Sequence, residues 1–190
     1  MTRPAALREK KSPQTEGVRS GIDELSSQGF TSLSGLRVGL ITNHTGLDAK
    51  GRRTLDLLFN APSVQLAALF SPEHGLNGNV DVAVFSSTEP VTKLPVHSLY
   101  GDVRRPTREM LEGLDALVFD IQDAGVRFYT YITTMAYAME AAAKKGLRFY
   151  VLDRPNPINA AVVQGPVLEA GLQSFTGSVQ IGRASCRERV

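Results

Sequence analysis

The chain has 190 residues, of which 42% are hydrophobic and 21% are charged, and it contains no tryptophan. This length suits one domain with a buried core, and no apolar run reaches the ~20 residues that a membrane-spanning helix needs. Residues 1–20 are polar and basic without an apolar stretch, which predicts a disordered lead-in without a signal peptide. A cytoplasmic location follows, unless the natural start lies upstream and the parent protein is exported.

Residues 180–190 match no element that we can place, and they resemble the in-frame translation of a sequencing adapter. We therefore expect an artefact there, with a natural basic tail as the alternative. These residues hold three arginines, one glutamate and the only cysteine, Cys186, so without them the net charge falls from +2 to zero. The basic pI then gives no reason to expect nucleic acid or a membrane as a partner, and no thiol chemistry remains.

Short apolar runs alternate with helical stretches between residues 21 and 179. The predicted elements, in chain order, are a helix at 21–29, a strand at 36–42, a helix at 52–60, a strand at 64–70, a long loop at 75–94 with one short strand at 82–85, a short strand at 96–100, a helix at 106–114, a strand at 116–121, a helix at 131–145 and a strand at 147–152. This alternation predicts an α/β fold built on a parallel sheet.

Four of the predicted strands end abruptly in polar and charged residues. These polar clusters begin at Thr42, Ser71, Asp120 and Asp153. In an open α/β sheet the carboxyl ends of the parallel strands form one edge, and ligands bind in the crevice outside it. We therefore expect the four clusters to meet in space and to form an active site.

The sequence Ser-Pro-Glu-His-Gly at 71–75 is the sharpest of these motifs. Its proline stiffens the turn and its glycine lets the backbone reverse, which holds Glu73 at the strand edge. A carboxyl group that is partly removed from water there suits a general acid near neutral pH. The alternative is a surface ion pair or a contact to the backbone of a following turn.

The third cluster offers two more carboxylates, Asp120 and Asp123. Asp120 follows a buried strand, so it is either catalytic or a structural acceptor for neighbouring loops. Asp123 is likewise either catalytic or simply ion-paired with Arg127. The candidate ligands for a metal are His44, Glu73, His74, Asp120 and Asp123, although their spacing fits no compact metal motif.

Aromatic residues follow these acids directly. Tyr129 and Tyr131 either stack their rings on the apolar faces of sugars and bond the polar edges with their hydroxyls, or pack in the core at the start of the long helix. We expect Phe128 to pack in the core. In the last cluster Arg154 is either a clamp for an anion or the partner of a buried aspartate. Asn43 and His44 supply hydrogen-bonding side chains at the end of the first strand.

Six motifs, in this order, resemble those of the exo-β-N-acetylmuramidase family of bacteria. They are Gly-Leu-Ile-Thr-Asn at 39–43, Leu-Phe-Ser-Pro-Glu-His-Gly at 69–75, Ser-Leu-Tyr-Gly at 98–101, Val-Phe-Asp-Ile-Gln-Asp at 118–123, Arg-Phe-Tyr-Thr-Tyr at 127–131 and Leu-Asp-Arg-Pro-Asn-Pro at 152–157. The resemblance covers residues 21–177. It implies a Rossmann-like sheet with helices on both faces, no bound nucleotide or other cofactor, and a smaller C-terminal domain that closes the active-site cleft.

The family resemblance also implies removal of terminal N-acetylmuramic acid from peptidoglycan fragments in cell-wall turnover and recycling. It makes Glu73 catalytic. Our own hypothesis from the residues is that Asp120 or Asp123 supplies the second carboxyl group. The substrate-binding candidates, from the resemblance and from the residues together, are Asn43, His44, His74, Arg127, Tyr129, Tyr131, Asp153, Arg154 and Asn156. A metal-dependent hydrolase and a sugar-binding module without catalysis are the alternative functions.

Some residues depart from the family pattern. His97 stands where the family usually has tyrosine, and Asn-Ala at 159–160 replaces the usual Gly-Gly. The family also continues beyond residue 177 into its second domain, where this sequence runs into the adapter-like segment. We therefore expect residues 21–179 to be a catalytic domain without its C-terminal partner domain, with little or no activity by itself.

Overall fold

Strands and helices alternate along the chain. The computed structural model describes residues 18–76, 78, 87–126, 128–158, 165 and 167–177. The helices are α1 (Gly21–Ser27), α2 (Thr54–Phe59) and α3 (Tyr131–Lys145), with a 3₁₀ turn at Thr31–Leu33. The strands are β1 (Arg37–Thr42), β2 (Gln65–Ser71), β3 (Ser87–Thr88), β4 (Pro95–Ser98), β5 (Ala116–Asp120) and β6 (Arg148–Val151).

The strands form one six-stranded sheet in the order β3-β4-β2-β1-β5-β6. All neighbouring pairs are parallel except β3 and β4. From the central strand β1 the chain moves outward through β2 to β4, then crosses back to β5 on the other side. The carboxyl ends of β1 and β5 therefore flank the point where the direction of winding reverses, which is where such sheets bind ligands.

Both faces of the sheet are covered, which explains the nearly continuous apolar sequence of the central strands. One core cluster joins the sheet to α1 and α2, and it includes Val38 and Leu40 of β1. The other cluster joins the opposite face to α3 and includes Ile41. The predicted α/β fold with a mostly parallel sheet is confirmed.

Local sequence sets the ends of the helices. Ser20 and Asp23 form a reciprocal cap at the start of α1, with 2.6 Å between the serine hydroxyl and the carboxylate. Gly146 ends α3 in a left-handed conformation, with φ of 73°. The predicted bounds of α3 are confirmed, and those of α1, α2 and the four long strands are confirmed to within about two residues.

The predicted helix at 106–114 is wrong. The chain there makes separate turns, in which the Glu112 N–H bonds the Glu109 carbonyl and the Leu114 N–H bonds the Leu111 carbonyl. Gly113 has φ of 69°, which interrupts a right-handed helix. Leu111 and Leu114 are still buried, so the apolar spacing predicted burial correctly while the turns replaced the helix.

One apolar side chain of α2 is exposed, and several predicted segments lie outside the described residues. Phe59, the last residue of α2, is 44% exposed. The strand expected at 82–85, the lead-in up to residue 17 and the segment 180–190 lie outside the described residues. Within the part that the structure describes, no helix is both long and apolar enough to cross a lipid bilayer.

Candidate active site

The four polar clusters meet at the carboxyl edge of the sheet, as predicted. The loop after β1 packs onto the end of β5, where the Thr42 hydroxyl donates to the Asp120 carbonyl at 2.8 Å. The backbone N–H of Gln122 donates to the Thr45 hydroxyl at 2.9 Å. These bonds join the first and third clusters at the point where the winding of the sheet reverses.

Glu73 lies in the turn after β2, where His74 and Gly75 both have positive φ, 67° and 74°. This reversal directs the Glu73 carboxylate to the start of α3. There the Thr130 hydroxyl donates to Glu73 Oε2 at 2.7 Å. One carboxylate oxygen of Glu73 is thereby fixed.

Thr130 was not among the predicted site residues. It is buried and occupies the N-cap position of α3, yet its side chain makes no capping hydrogen bond. A threonine at this position normally accepts from the first helical N–H groups. Its hydroxyl bonds Glu73 instead, a contact across the fold that no local sequence pattern signals.

The Tyr131 hydroxyl is the common neighbour of several predicted residues. Burial raises its pKa, and the negative charges of Glu73 and Asp123 and the neighbouring phenol of Tyr129 raise it further, while a hydrogen bond from the Asn43 side chain lowers it. The structure thus brings together two of the three predicted catalytic carboxyl groups and three of the predicted binding residues.

Asp123 has an unusual environment for a carboxylate. Its Oδ1 accepts from the Gly125 N–H at 2.6 Å. Burial raises the pKa of Asp123, although the N–H groups of Gly125 and Ala124 act in the opposite direction. Its Oδ2 is buried and has no hydrogen-bond partner among the described residues.

Asn43 is also buried, at the end of β1. Its Oδ1 accepts from the Thr45 N–H at 2.9 Å and from the Thr45 hydroxyl at 2.6 Å. Its amide Nδ2 lies beside Tyr131 but makes no hydrogen bond of normal geometry to any group that the structure describes.

Asp120 and Arg154 form a buried ion pair. Asp120 is fully buried, and its two oxygens accept from Arg154 Nε at 2.6 Å and from Nη2 at 2.9 Å. The Thr54 hydroxyl also donates to this carboxylate, and Arg154 Nη2 reaches the Leu47 carbonyl at 2.8 Å. This geometry favours the structural alternative for both residues, because the pair ties α2 and the loop before it to β5 and the last polar cluster.

Aromatic rings form the rim of the site. Phe128 and Tyr129 pack edge to face with ring centres 5.8 Å apart, and Tyr129 packs on Tyr131 in the same way at 5.8 Å. The expected core position of Phe128 is wrong, since its side chain is 71% exposed. The three rings lead from solvent to the carboxyl groups.

The remaining predicted residues lie around this centre. Asn43, His44 and His74 line a neighbouring cleft of about 750 Å³. Asn156 packs its amide against Gly125, and the exposed Asp153 accepts from the Gly21 N–H through its backbone carbonyl. The last predicted residue, at position 127, lies outside the described residues. In the described part of the chain, no three histidine, cysteine or acidic side chains are grouped closely enough to hold a metal ion.

A family model described as "Exo-beta-N-acetylmuramidase NamZ, N-terminal" matches residues 38–185. The chain belongs to this family. The resemblance seen in the six sequence motifs is thereby confirmed. The match ends within the segment at 180–190, whose origin as an adapter stays a prediction.

Relatives in the NamZ family are longer than this chain. Peptidoglycan beta-N-acetylmuramidase NamZ of Bacillus subtilis (strain 168) is 49% identical over 162 residues, which are 84% of this chain and 39% of the relative. Two crystal structures of DUF1343 family proteins from Bacteroides fragilis NCTC 9343 are also similar. One has a TM-score of 0.82 and 49% identity, the other a TM-score of 0.74 and 33% identity, and each covers 87% of this chain and 42% of the other.

Proposed function

We propose that the chain carries the catalytic carboxyl groups of a glycoside hydrolase that releases terminal N-acetylmuramic acid from peptidoglycan fragments. The observation that supports this most directly is that the Thr130 hydroxyl holds the Glu73 carboxylate at the carboxyl edge of the sheet, where the negative charges of Glu73 and Asp123 both raise the pKa of Tyr131. Hydrolysis of a glycosidic bond commonly uses such a pair of carboxyl groups. The B. subtilis relative is named for the same activity.

In this proposal Glu73 is the general acid. Because Thr130 donates to Oε2, a proton on the carboxyl group is carried by Oε1, from which it passes to the leaving glycosidic oxygen. Asp123 is the second carboxyl group. Asp120 is the weaker candidate for that role, since Arg154 and Thr54 already bond its oxygens.

The sugar lies against the tyrosine rings of the rim, whose faces suit the C–H groups of a hexose. Recognition of the lactyl carboxylate of muramic acid needs a cation. Arg154 is committed to Asp120, so Arg127 stays the predicted partner, outside the described residues. A cation at this position would distinguish muramic acid, whose lactyl group is negatively charged, from N-acetylglucosamine, which lacks that group.

The chain spans about two fifths of the length of its relatives. We propose that the rest of a full-length family member supplies the opposite wall of the cleft. Phe128 then lies on the side of the cleft that this second wall closes.

The test is Glu73→Gln, made at the aligned position of the full-length B. subtilis relative, with a Glu→Gln change at an exposed glutamate of the same protein as the matched control. We expect kcat on a disaccharide substrate to fall by about 100-fold or more, as for other general acids. The loss should be much smaller on an aryl glycoside whose leaving group needs no proton. Activity within about tenfold of the parent on the disaccharide contradicts the acid assignment.

A further inference from the structure

A groove lined by positive charges runs along the second half of α3, away from the proposed active site. Two cavities of about 350 Å³ and about 490 Å³ share Arg105 and Tyr137, so they form one continuous groove. Tyr137 follows Tyr131, the first residue of α3, by about 9 Å along the helix axis, and the groove continues to Lys145. Its size falls in the range of small-molecule sites.

Five cationic side chains line the groove, and they come from two separate parts of the chain. They are Arg104, Arg105 and Arg108 of the segment after β4, and Lys144 and Lys145 of α3. Of these five, Arg105 alone is ion-paired with an acidic side chain that the structure describes, Glu140. Hydrogen bonding to its own backbone and the charges of Arg108 and Lys145 lower the pKa of Glu109, the other acid nearby. Positive charge is therefore in excess along the groove.

The dipole of α3 explains only the two lysines, because cations in the last turn stabilise a helix. It does not explain the arginines, which belong to another segment. The guanidinium carbon of Arg105 lies 3.5 Å from the centre of the Tyr137 ring, and that of Arg104 lies 4.8 Å from the centre of the Phe175 ring. Stacking on a ring holds a guanidinium group in place without using its N–H donors. These arginines are thus arranged to bind an anion.

The floor of the groove is apolar. Pro106, Leu111, Ala141 and Tyr137 line the larger cavity together with the cations, and Pro106 and Leu111 are buried. A membrane surface fits this arrangement poorly, because the apolar side chains that enter a bilayer must protrude. An anion that also has an apolar face fits it well: phosphate groups bind arginine and lysine, and the C–H faces of a sugar ring pack on apolar surface.

We propose that this groove is a binding site for a sugar phosphate. The phosphate group is held by Arg108 and Lys144, and the sugar ring lies against Pro106 and Ala141. The site is separate from the one that carries the proposed glycosidase chemistry, and none of its lining residues has a role there. The proposal therefore goes beyond the proposed function, and each can fail without the other.

The binding test follows the backbone signals of Ala141 and Lys144 in the ¹⁵N-labelled 190-residue chain. The probes are glucose 6-phosphate, glucose, inorganic phosphate and a short DNA oligonucleotide. We expect glucose 6-phosphate to shift these signals and glucose to leave them unchanged, because the charge supplies most of the attraction. The Kd for glucose 6-phosphate should be at least about tenfold lower than that for inorganic phosphate, since only the sugar phosphate also covers the apolar floor.

Two double variants separate the groove from the general charge of the chain. Arg108→Gln with Lys144→Gln removes two exposed cations of the groove, so the fold should be kept. Lys50→Gln with Arg148→Gln removes the same residue types at exposed positions outside the groove and is the matched control. We expect glucose 6-phosphate to bind the groove variant at least about tenfold more weakly than the control, which should bind like the parent.

Thermal unfolding checks that both double variants are folded. The site is overturned if glucose 6-phosphate shifts neither signal, or if the two double variants bind it equally well. Inorganic phosphate that binds as tightly as glucose 6-phosphate also overturns it, because the apolar floor then has no role. An oligonucleotide that shifts the same signals at a lower phosphate concentration than glucose 6-phosphate would assign the charges to nucleic acid instead.

Discussion

At the scale of single residues, the hydroxyl of Thr130 connects the start of a helix to the proposed acid. A side chain at the N-cap that gives up its capping bond leaves helical N–H groups to find other partners. The compensation here is a defined orientation of Glu73. Thr130 is thus a positioning residue for Glu73.

This role predicts a difference between two conservative substitutions. Thr130→Val is close to isosteric but removes the donor, whereas Thr130→Ser keeps it. At neutral pH we expect the carboxyl ¹³C signal of Glu73, assigned with Glu73→Gln, to move in Thr130→Val and to stay near its parent position in Thr130→Ser. The valine variant should unfold near the parent temperature, because no side-chain cap is lost. A serine variant that moves the signal as far as valine contradicts the positioning role.

The Asp120–Arg154 pair predicts a large effect on stability. Arg154→Met leaves the fully buried Asp120 carboxylate without its cation, and breaking a buried pair in this way typically costs about 3–5 kcal/mol. Urea unfolding of the purified chain measures this loss. The double variant with Asp120→Asn should recover a good part of it, since the buried charge is gone. Loss of less than about 1 kcal/mol in Arg154→Met would show that water replaces the guanidinium.

The residue scale also shows what the sequence could predict about the site. The proline and glycine around Glu73 predicted its place at a strand end, because turn chemistry is local. For Asp120 the alternation of a strand predicted burial but could not choose between catalysis and pairing, since its partner lies in another loop. Thr130 was missed for the same reason: its bond to Glu73 exists only once α3 and the β2 turn are packed together.

At the scale of elements, strong local patterns predicted structure and weak ones failed. The helix α3 is rich in alanine and methionine and is closed by Gly146, so periodicity and a stop signal agreed. The segment at 106–114 had apolar spacing as well, yet it carries Gly113 in a left-handed conformation and forms turns. Packing against the sheet decided its shape, while burial of Leu111 and Leu114 followed the spacing.

His97 in strand β4 makes the stability of the fold depend on pH. Burial lowers the pKa of His97 below the usual 6.5, and its ring lies 5.2 Å from that of Phe70. The unfolded chain therefore binds a proton more readily than the folded one in the window just below 6.5. The contribution of uncharged His97 to stability is fully present above pH 6.5, and it is lost as the pH falls through this window.

Replacing His97 with tyrosine, the residue usual in the family, removes this titration. We expect the fall in urea midpoint between about pH 7.5 and about pH 5.5 to be smaller in His97→Tyr than in the parent. An unchanged slope in His97→Tyr contradicts the assignment.

At the scale of the whole molecule, the fold places the proposed acid at an open edge. The central strands are buried on both faces, so the carboxyl edge is the place where the polar clusters can reach a ligand. On the rim, Phe128 is 71% and Tyr129 is 37% exposed, so water has access beside the carboxyl groups. Electrostatic catalysis is strongest where water is excluded.

Because the site is open to water, we predict that the 190-residue chain binds the sugar but hydrolyses it slowly. The chain should bind N-acetylmuramic acid at the tyrosine rim, yet hydrolyse a chromogenic N-acetylmuramic acid glycoside at least about 100-fold more slowly than the full-length B. subtilis relative. Any residual rate must fall further in Glu73→Gln, which separates weak catalysis from a contaminating enzyme. A chain that matches the relative's kcat would mean that the carboxyl edge alone excludes enough water for the reaction, and the second wall would then serve substrate selection rather than chemistry.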